Sequence, residues 1–499
     1  MHISYVSVMK SKSVKVNAVL NGLRTVLNLL FPLVTFPYIS RVLSIEEIGK
    51  YNFSMSIVSY FMLIAALGID KYAVREGTKY RDNKVEMSDF ASEVFSVNIL
   101  ATVLSYLLLL AYIWLSSKAY DYRFCIIIFS FQIFFTTIGT EWLYTIYEEY
   151  EYITVRSILF KLISIALLFV FVRNEGDYLK YACITVFSSV GSNILNFINS
   201  KKYCTIRIRF KANWKKILTP VLVIFASNVA VQIYVNSDIT ILGYLKDDYS
   251  VGIYSIAAKI YLIVKNVLVA ILTVTIPRLS LYVGKGLTAE YRQLLKKITN
   301  TIVVLGLPTM VGLILLSRNA ILIISSEKYI GSQKSLIILC LAIIFSLFST
   351  IFNQCVLLPY KREKVFLRSS VISASVNIIL NLCIVPFLGA AGAAITTLLS
   401  EALMAIMNCY GAKDIITGYL FDKSFLFNAI TAGVGCIGIV FWVIFIKAIV
   451  FSILLQTFFA VCGAVVAYFS LLILCKNEMA IKLLISIKEK VNIRFRNIK

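Results

Sequence analysis

The chain has one histidine, His2, in 499 residues. Histidine is the side chain that most often shuttles protons and ligates metals near neutral pH. Its near-absence excludes His-based acid–base catalysis and most transition-metal sites. The ten cysteines are scattered, with no C-x-x-C pair, so neither a zinc ribbon nor a disulfide framework is indicated. No G-x-x-x-x-G-K-[ST] run occurs, which removes the loop of backbone amides that would cradle ATP phosphates. Charge is scarce, at 15% of residues, and acidic side chains are scarcer still, 26 against 49 Lys and Arg. Nothing in the residues calls for a cofactor.

What replaces charge is hydrocarbon. Hydrophobic residues make up 59% of the chain and the mean hydropathy is +0.84, far from a soluble globular domain. Apolar runs of about 20 residues, the length a helix needs to cross a bilayer, fall at 16–39, 50–70, 91–115, 123–146, 153–172, 178–199, 217–243, 251–276, 298–317, 335–358, 366–387, 391–411, 425–446 and 450–475. The class is therefore an all-α integral membrane protein of about fourteen transmembrane helices. A net charge of +23 could signal nucleic acid, but in so apolar a chain it fits basic loops facing an anionic leaflet, with no nucleic-acid partner.

The charges also orient the chain. With the N-terminus in the cytoplasm, and basic residues near span ends counted with the side they adjoin, 34 of the 49 Lys and Arg lie on the cytoplasmic side and 11 outside; four (Arg24, Lys161, Lys259, Lys265) lie deep within spans. That asymmetry satisfies the positive-inside rule and places both termini in the cytoplasm. The basic, amphipathic tail 476–499 reads as an interfacial helix. The outside loops are short. A membrane polymerase or glycosyltransferase would need a larger loop with acid–base carboxylates, so the chain is expected not to be an enzyme.

The first span is not uniformly apolar. Asn17, Asn21, Arg24 and Asn28 recur at the spacing of one helix face, and Arg24 sits roughly 12 Å into the span. A charge in hydrocarbon costs at least ~2.5–3.5 kcal/mol on insertion scales, so it faces water or protein. The seventh span repeats the device with Asn228, Gln232 and Asn236, and Asp238 just beyond. Lys259 in the eighth span is similarly deep, with Asn266 on the same face, and Lys161 lies within the fifth. Against these cations the spans offer Glu141, Glu401 and Asp238, which either pair off as buried ion pairs or couple transport to protons or sodium. The surplus of cations implies an anionic guest in a central cationic cavity lined by Arg24, Asn21, Asn28, Asn228, Gln232, Asn236, Lys259, Asn266 and Lys161.

A weak repeat supports two halves. Gly49, Tyr51 and Ile57 match Gly252, Tyr254 and Ile260 at a constant offset, and the two spans start on the same side, six helices apart. The expected architecture is two pseudo-symmetric six-helix lobes plus two C-terminal helices. The divisions are 1–210, 211–415 and 416–475, followed by the tail.

The stretch FPLVTFPYISRVLSIEEIGKYNFSMSIVSYFMLIAALGIDKYAVRE (31–76) resembles the N-terminal signature of bacterial O-antigen and capsule repeat-unit flippases. These form the polysaccharide-transporter branch of the multidrug/oligosaccharidyl-lipid/polysaccharide exporter superfamily. The resemblance rests on Pro37-Tyr38-Ile39-Ser40-Arg41, Gly49 with Tyr51, Gly68 and Arg75-Glu76. It extends loosely through PYKREK (359–364) and GAAGAAITTLLSE (389–401). Ser44 departs from it, standing where glycine is expected. The resemblance implies a carrier in the bacterial inner membrane that moves an undecaprenyl-diphosphate-linked oligosaccharide to the periplasmic leaflet for lipopolysaccharide or capsule assembly. It also implies membrane lipids as partners, with the polymerase and chain-length machinery of the same pathway as further candidates. A peptidoglycan-precursor flippase and a drug/cation antiporter of the same superfamily are the alternatives, the latter expecting an acidic cavity.

Overall fold

The computed structural model describes residues 22, 27, 31–209 and 214–481, and among them helix is the only extended regular structure. That is what hydrocarbon imposes, since a helix satisfies its own backbone donors and acceptors where water cannot. The chain forms two compact units, Met1–Gln232 and Ile233–Lys499.

In the first unit, 31–42 is helical (α1). It is followed by α2 (Ile45–Ala66), α3 (Ile69–Gly77), α4 (Lys84–Leu115), α5 (Ser117–Asp121) and α6 (Arg123–Gly139). Then come α7 (Glu141–Ile146), α8 (Tyr150–Phe171), α9 (Tyr178–Val190) and α10 (Asn193–Ser200). Helix α2 starts five residues before the apolar run because Ser44 caps it. The Ser44 hydroxyl accepts from Glu47 N at 3.2 Å, and Glu47 Oε2 accepts from Ser44 N at 3.0 Å, a capping box. The residue that departs from the family pattern is thus the helix start. The helix ends where Leu67 (φ 47°) and Gly68 (φ 79°) turn left-handed. Glycine is needed at 68 twice over, because a Cβ there would also meet Ile224 Cγ2 at 2.6 Å.

The run 123–146, expected as one span, is broken by Thr140 at φ 39°. The resulting short helix α7 packs Trp142, Leu143 and Ile146 with Ile69, Met87 and Val221 in a buried cluster. Beyond α10 the chain extends along α4. The amides of Thr205, Arg207 and Arg209 donate to Ser88, Ser92 and Ser96 Oγ at 3.0, 3.0 and 2.8 Å. The match is geometric: two residues of extended chain advance about as far as one helical turn.

Helix α11 (Trp214–Leu245) holds the division between the units. It leads to α12 (Asp248–Thr273), α13 (Ile276–Gly284), α14 (Thr288–Leu315), α15 (Ser317–Ile324) and α16 (Ser332–Thr350), which runs into a π-helical turn, Ile351–Leu357. Then follow α17 (Glu363–Gly411), α18 (Lys413–Ile416), α19 (Lys423–Ile449) and α20 (Ile453–Leu474). The 49 residues of α17 are two helices. Gly389 has φ 54° and ψ −131°, three residues after Pro386. Thr396 Oγ1 donates to Asn381 Oδ1 at 2.9 Å, whereas 15 residues of straight helix would separate them by roughly 22 Å. The chain therefore reverses at Gly389.

Among the described residues, eleven helices are long and apolar enough to cross a membrane. Adding the shorter α6 and counting α17 twice, the described residues account for thirteen of the fourteen expected crossings; most of the first, 16–39, lies outside them. The repeat is visible in the order of elements. A long helix followed by a short one occurs as α2–α3 and again as α12–α13, then as α4–α5 and α14–α15. The protein is an all-α multi-pass membrane protein with two pseudo-symmetric sets of helices and two more at the C-terminal end.

Candidate functional site

A buried polar constellation in the second unit is centred on Asp238. Helix α11 places its carboxylate, 5% exposed, against both halves of the α17 reversal. Asn381 Nδ2 donates to Oδ1 at 2.7 Å, Tyr254 OH donates to Oδ2 at 2.6 Å, and Thr397 Oγ1 donates to the same Oδ2. Ser237 Oγ and Asn381 Nδ2 both donate to Asn377 Oδ1, at 2.7 and 3.0 Å. Asp238 has no ion-pair partner among the described residues. A buried charge without a counter-ion is costly unless donors surround it; three do. Hydroxyl and amide groups from three helices thus converge on one buried carboxylate.

Glu401 is different. Helix α12 delivers Lys265 Nζ to Glu401 Oε1 at 3.0 Å, and Tyr261 OH donates to the same oxygen at 3.2 Å. Both side chains are largely buried, 22% and 5% exposed. This carboxylate is an ion-pair partner, one of the two roles open from the sequence.

The remaining candidates are placed as follows. Asn228 accepts from Lys71 Nζ at 3.2 Å. Gln232, Asn236 and Lys259 are partly buried, and Asn266 is exposed. Lys161 lies over the Phe31 ring at 5.8 Å. Glu141 opens α7, partly buried. Asn21, Arg24 and Asn28 lie outside the described residues. The sequence reading singled out Asp238 but missed Asn377, Asn381, Thr397 and Tyr254 around it. A signal existed for two of them: Asn377 and Asn381 stand one helical turn apart and are the polar residues of the otherwise apolar stretch 376–387.

The repeat reaches this site. Tyr254 lies 3.2 Å from Thr397 Oγ1, and its counterpart Tyr51 donates to Thr185 Oγ1 at 3.0 Å. Tyr51 stacks on Tyr181 at 4.4 Å, whereas Tyr254 donates to a carboxylate.

Residues 14–283, more than half of the chain, match the family described as "Polysaccharide biosynthesis protein". The chain belongs to that family. A second match, to the MatE family, covers 224–383 and includes Asp238, Tyr254, Asn377 and Asn381 but not Thr397. Among relatives of the polysaccharide biosynthesis chain, a "Putative O-antigen transporter" of Shigella dysenteriae is 24% identical over 388 residues, 77% of this chain and 96% of the relative. A protein of the same description from Escherichia coli (strain K12) is 26% identical over 391 residues, 76% of this chain and 91% of the relative. The solved structure "Lipid II flippase MurJ, inward closed conformation" superposes with a TM-score of 0.71 at 16% identity, covering 91% of this chain and 99% of that one. At that identity the likeness speaks to the fold.

Proposed function

We propose that this chain is a flippase, not an enzyme. In this reading it moves an undecaprenyl-diphosphate-linked oligosaccharide from the cytoplasmic to the periplasmic leaflet of the bacterial inner membrane for O-antigen or capsule assembly. The observation that supports it best is the match to proteins described as O-antigen transporters over 91–96% of their own length. The residues fit the chemistry. A diphosphate is the anionic guest that Arg24 and Lys259 call for, and Asn21, Asn28, Asn228, Gln232, Asn236 and Asn266 supply amides for sugar hydroxyls. Lys161 adds a further cation. We retain the division into lobes 1–210 and 211–415 with two additional helices at 416–475, and cytoplasmic termini. Polymerase and chain-length proteins of the pathway are proposed neighbours.

Of the three carboxylates considered for coupling, Asp238 is the proposed one. It is buried among neutral donors, whereas Glu401 is balanced by Lys265. Glu141 keeps a secondary place.

Arg24 tests the reading. Guanidinium presents a planar fork to phosphate and stays protonated when partly desolvated. Arg24→Ala should abolish surface glycan at normal protein level in a complemented deletion strain, and Arg24→Lys should retain part of it. An abundant Arg24→Ala protein that exports glycan normally would refute the diphosphate role.

A further inference from the structure

A second cavity lies at one end of the second unit, away from Asp238. The end of α16 and its π-helical turn, the end of α17, and the segment 412–422 enclose about 800 Å³. Its wall is aromatic. Phe348 and Phe352 stack at 6.0 Å, and Phe421 stands edge-on to Phe352 at 6.4 Å. Phe345 and Tyr410 extend the wall and are themselves 39% and 78% exposed.

One cation, Lys413, lines the cavity, and the cations around it divide into two kinds. Arg362 is held bidentately by Asp414 at 2.7 and 2.6 Å, and Lys296 pairs with Asp422. Lys413, on the rim, makes no ion pair or side-chain hydrogen bond with the described residues. Arg292 has only the Tyr419 ring, 5.0 Å from its guanidinium carbon, and no carboxylate among them. Tyr419 lines the cavity, and its hydroxyl is buried with no hydrogen-bond partner among the described residues. A buried O–H without an acceptor is costly and uncommon. Two unneutralised cations and one unfilled donor therefore flank an aromatic trough.

We propose that this cavity is a binding site for an anionic phospholipid. The acyl chains lie along Phe348, Phe352 and Phe421. The phosphodiester accepts from Tyr419 OH and is neutralised by Lys413 and Arg292. Charge selects the occupant: a zwitterionic headgroup brings its own cation against Lys413, whereas phosphatidylglycerol brings none. The chains also matter, because inorganic phosphate would leave the aromatic wall unfilled. The site is independent of the flippase reading and of membrane orientation, since it needs only the second unit's own residues.

The test is lipid binding to the purified full-length protein in detergent, followed by native mass spectrometry. The probes are phosphatidylglycerol, phosphatidylcholine of the same chains, undecaprenyl phosphate and inorganic phosphate. Phosphatidylglycerol should bind in preference to phosphatidylcholine. Lys413→Ala and Arg292→Ala should each weaken it about fivefold, the effect of one near-surface cation on an anionic lipid. Tyr419→Phe, which keeps the ring, should weaken it without lowering thermal stability. Lys201→Ala, in the basic segment of the first unit, should leave it unchanged. Equal binding of the two phospholipids, or an unchanged affinity in the Lys413→Ala/Arg292→Ala double variant, would overturn the proposal. So would displacement by inorganic phosphate at comparable concentration, or a preference for undecaprenyl phosphate.

Discussion

At the scale of the residue, two buried carboxylates in one unit have opposite neighbours, so they should fail in opposite ways. Glu401 balances Lys265. Removing one partner of a buried pair leaves an uncompensated charge, typically costing about 3–5 kcal/mol, whereas replacing both is often near neutral. Glu401→Gln should therefore lower protein abundance, and Lys265→Met added to it should restore abundance, as quantified by immunoblot of membranes. Asp238 has only neutral donors, and Asn keeps its shape. Asp238→Asn should leave abundance near wild type while removing most glycan export and its dependence on external pH. A variant that exports normally across the pH range would exclude Asp238 from coupling.

At the scale of the element, ends and breaks decide the shape. Gly68→Ala would place a Cβ in a left-handed conformation and against Ile224. Each of these costs, with strain alone at about 1 kcal/mol or more, so the variant should show a lower melting temperature in detergent. The start of α9 offers a pH test. Lys180 at 2.7 Å and the amides of Arg173 and Asn174, both at 3.0 Å, hold the Asp177 carboxyl down at about 2. Because the folded value lies below the unfolded one, the contribution is present at neutral pH and fades as pH falls toward 2. The stability gap between wild type and Asp177→Asn should shrink over the same interval, as read by thermal melts at stepped pH.

At the scale of the whole molecule, the repeat supplies its own control. Tyr51 and Tyr254 occupy equivalent places and each meets a threonine hydroxyl, yet only Tyr254 touches a carboxylate. Tyr254→Phe should impair export at normal abundance, whereas Tyr51→Phe should cost stability alone. Reporter fusions after Asp82, Arg209 and Lys361 should read cytoplasm, and fusions near Lys118 and Lys328 periplasm. A periplasmic signal at Arg209 would overturn the proposed topology.

The apolar runs by themselves determined the class and placed the thirteen crossings that the described residues account for, because in a bilayer hydrophobic length translates directly into spans. They also located Asp238 and Lys265 as ionisable groups with something to explain. What the tertiary structure decided is which of them meet. Lys265 and Glu401 lie 136 residues apart, and Asp238 and Asn381 143 apart. Contacts at such separations leave no periodicity in a single sequence. The break at Thr140 was equally hidden, since a run of apolar residues looks the same whether the helix continues or breaks within it, whereas the reversal at Gly389 falls between the separate runs 366–387 and 391–411. The empty donors at Tyr419 and Lys413 required the fold as well. Whether a cation is satisfied depends on which carboxylates the packing brings near, and the packing gave those to Arg362 and Lys296 instead.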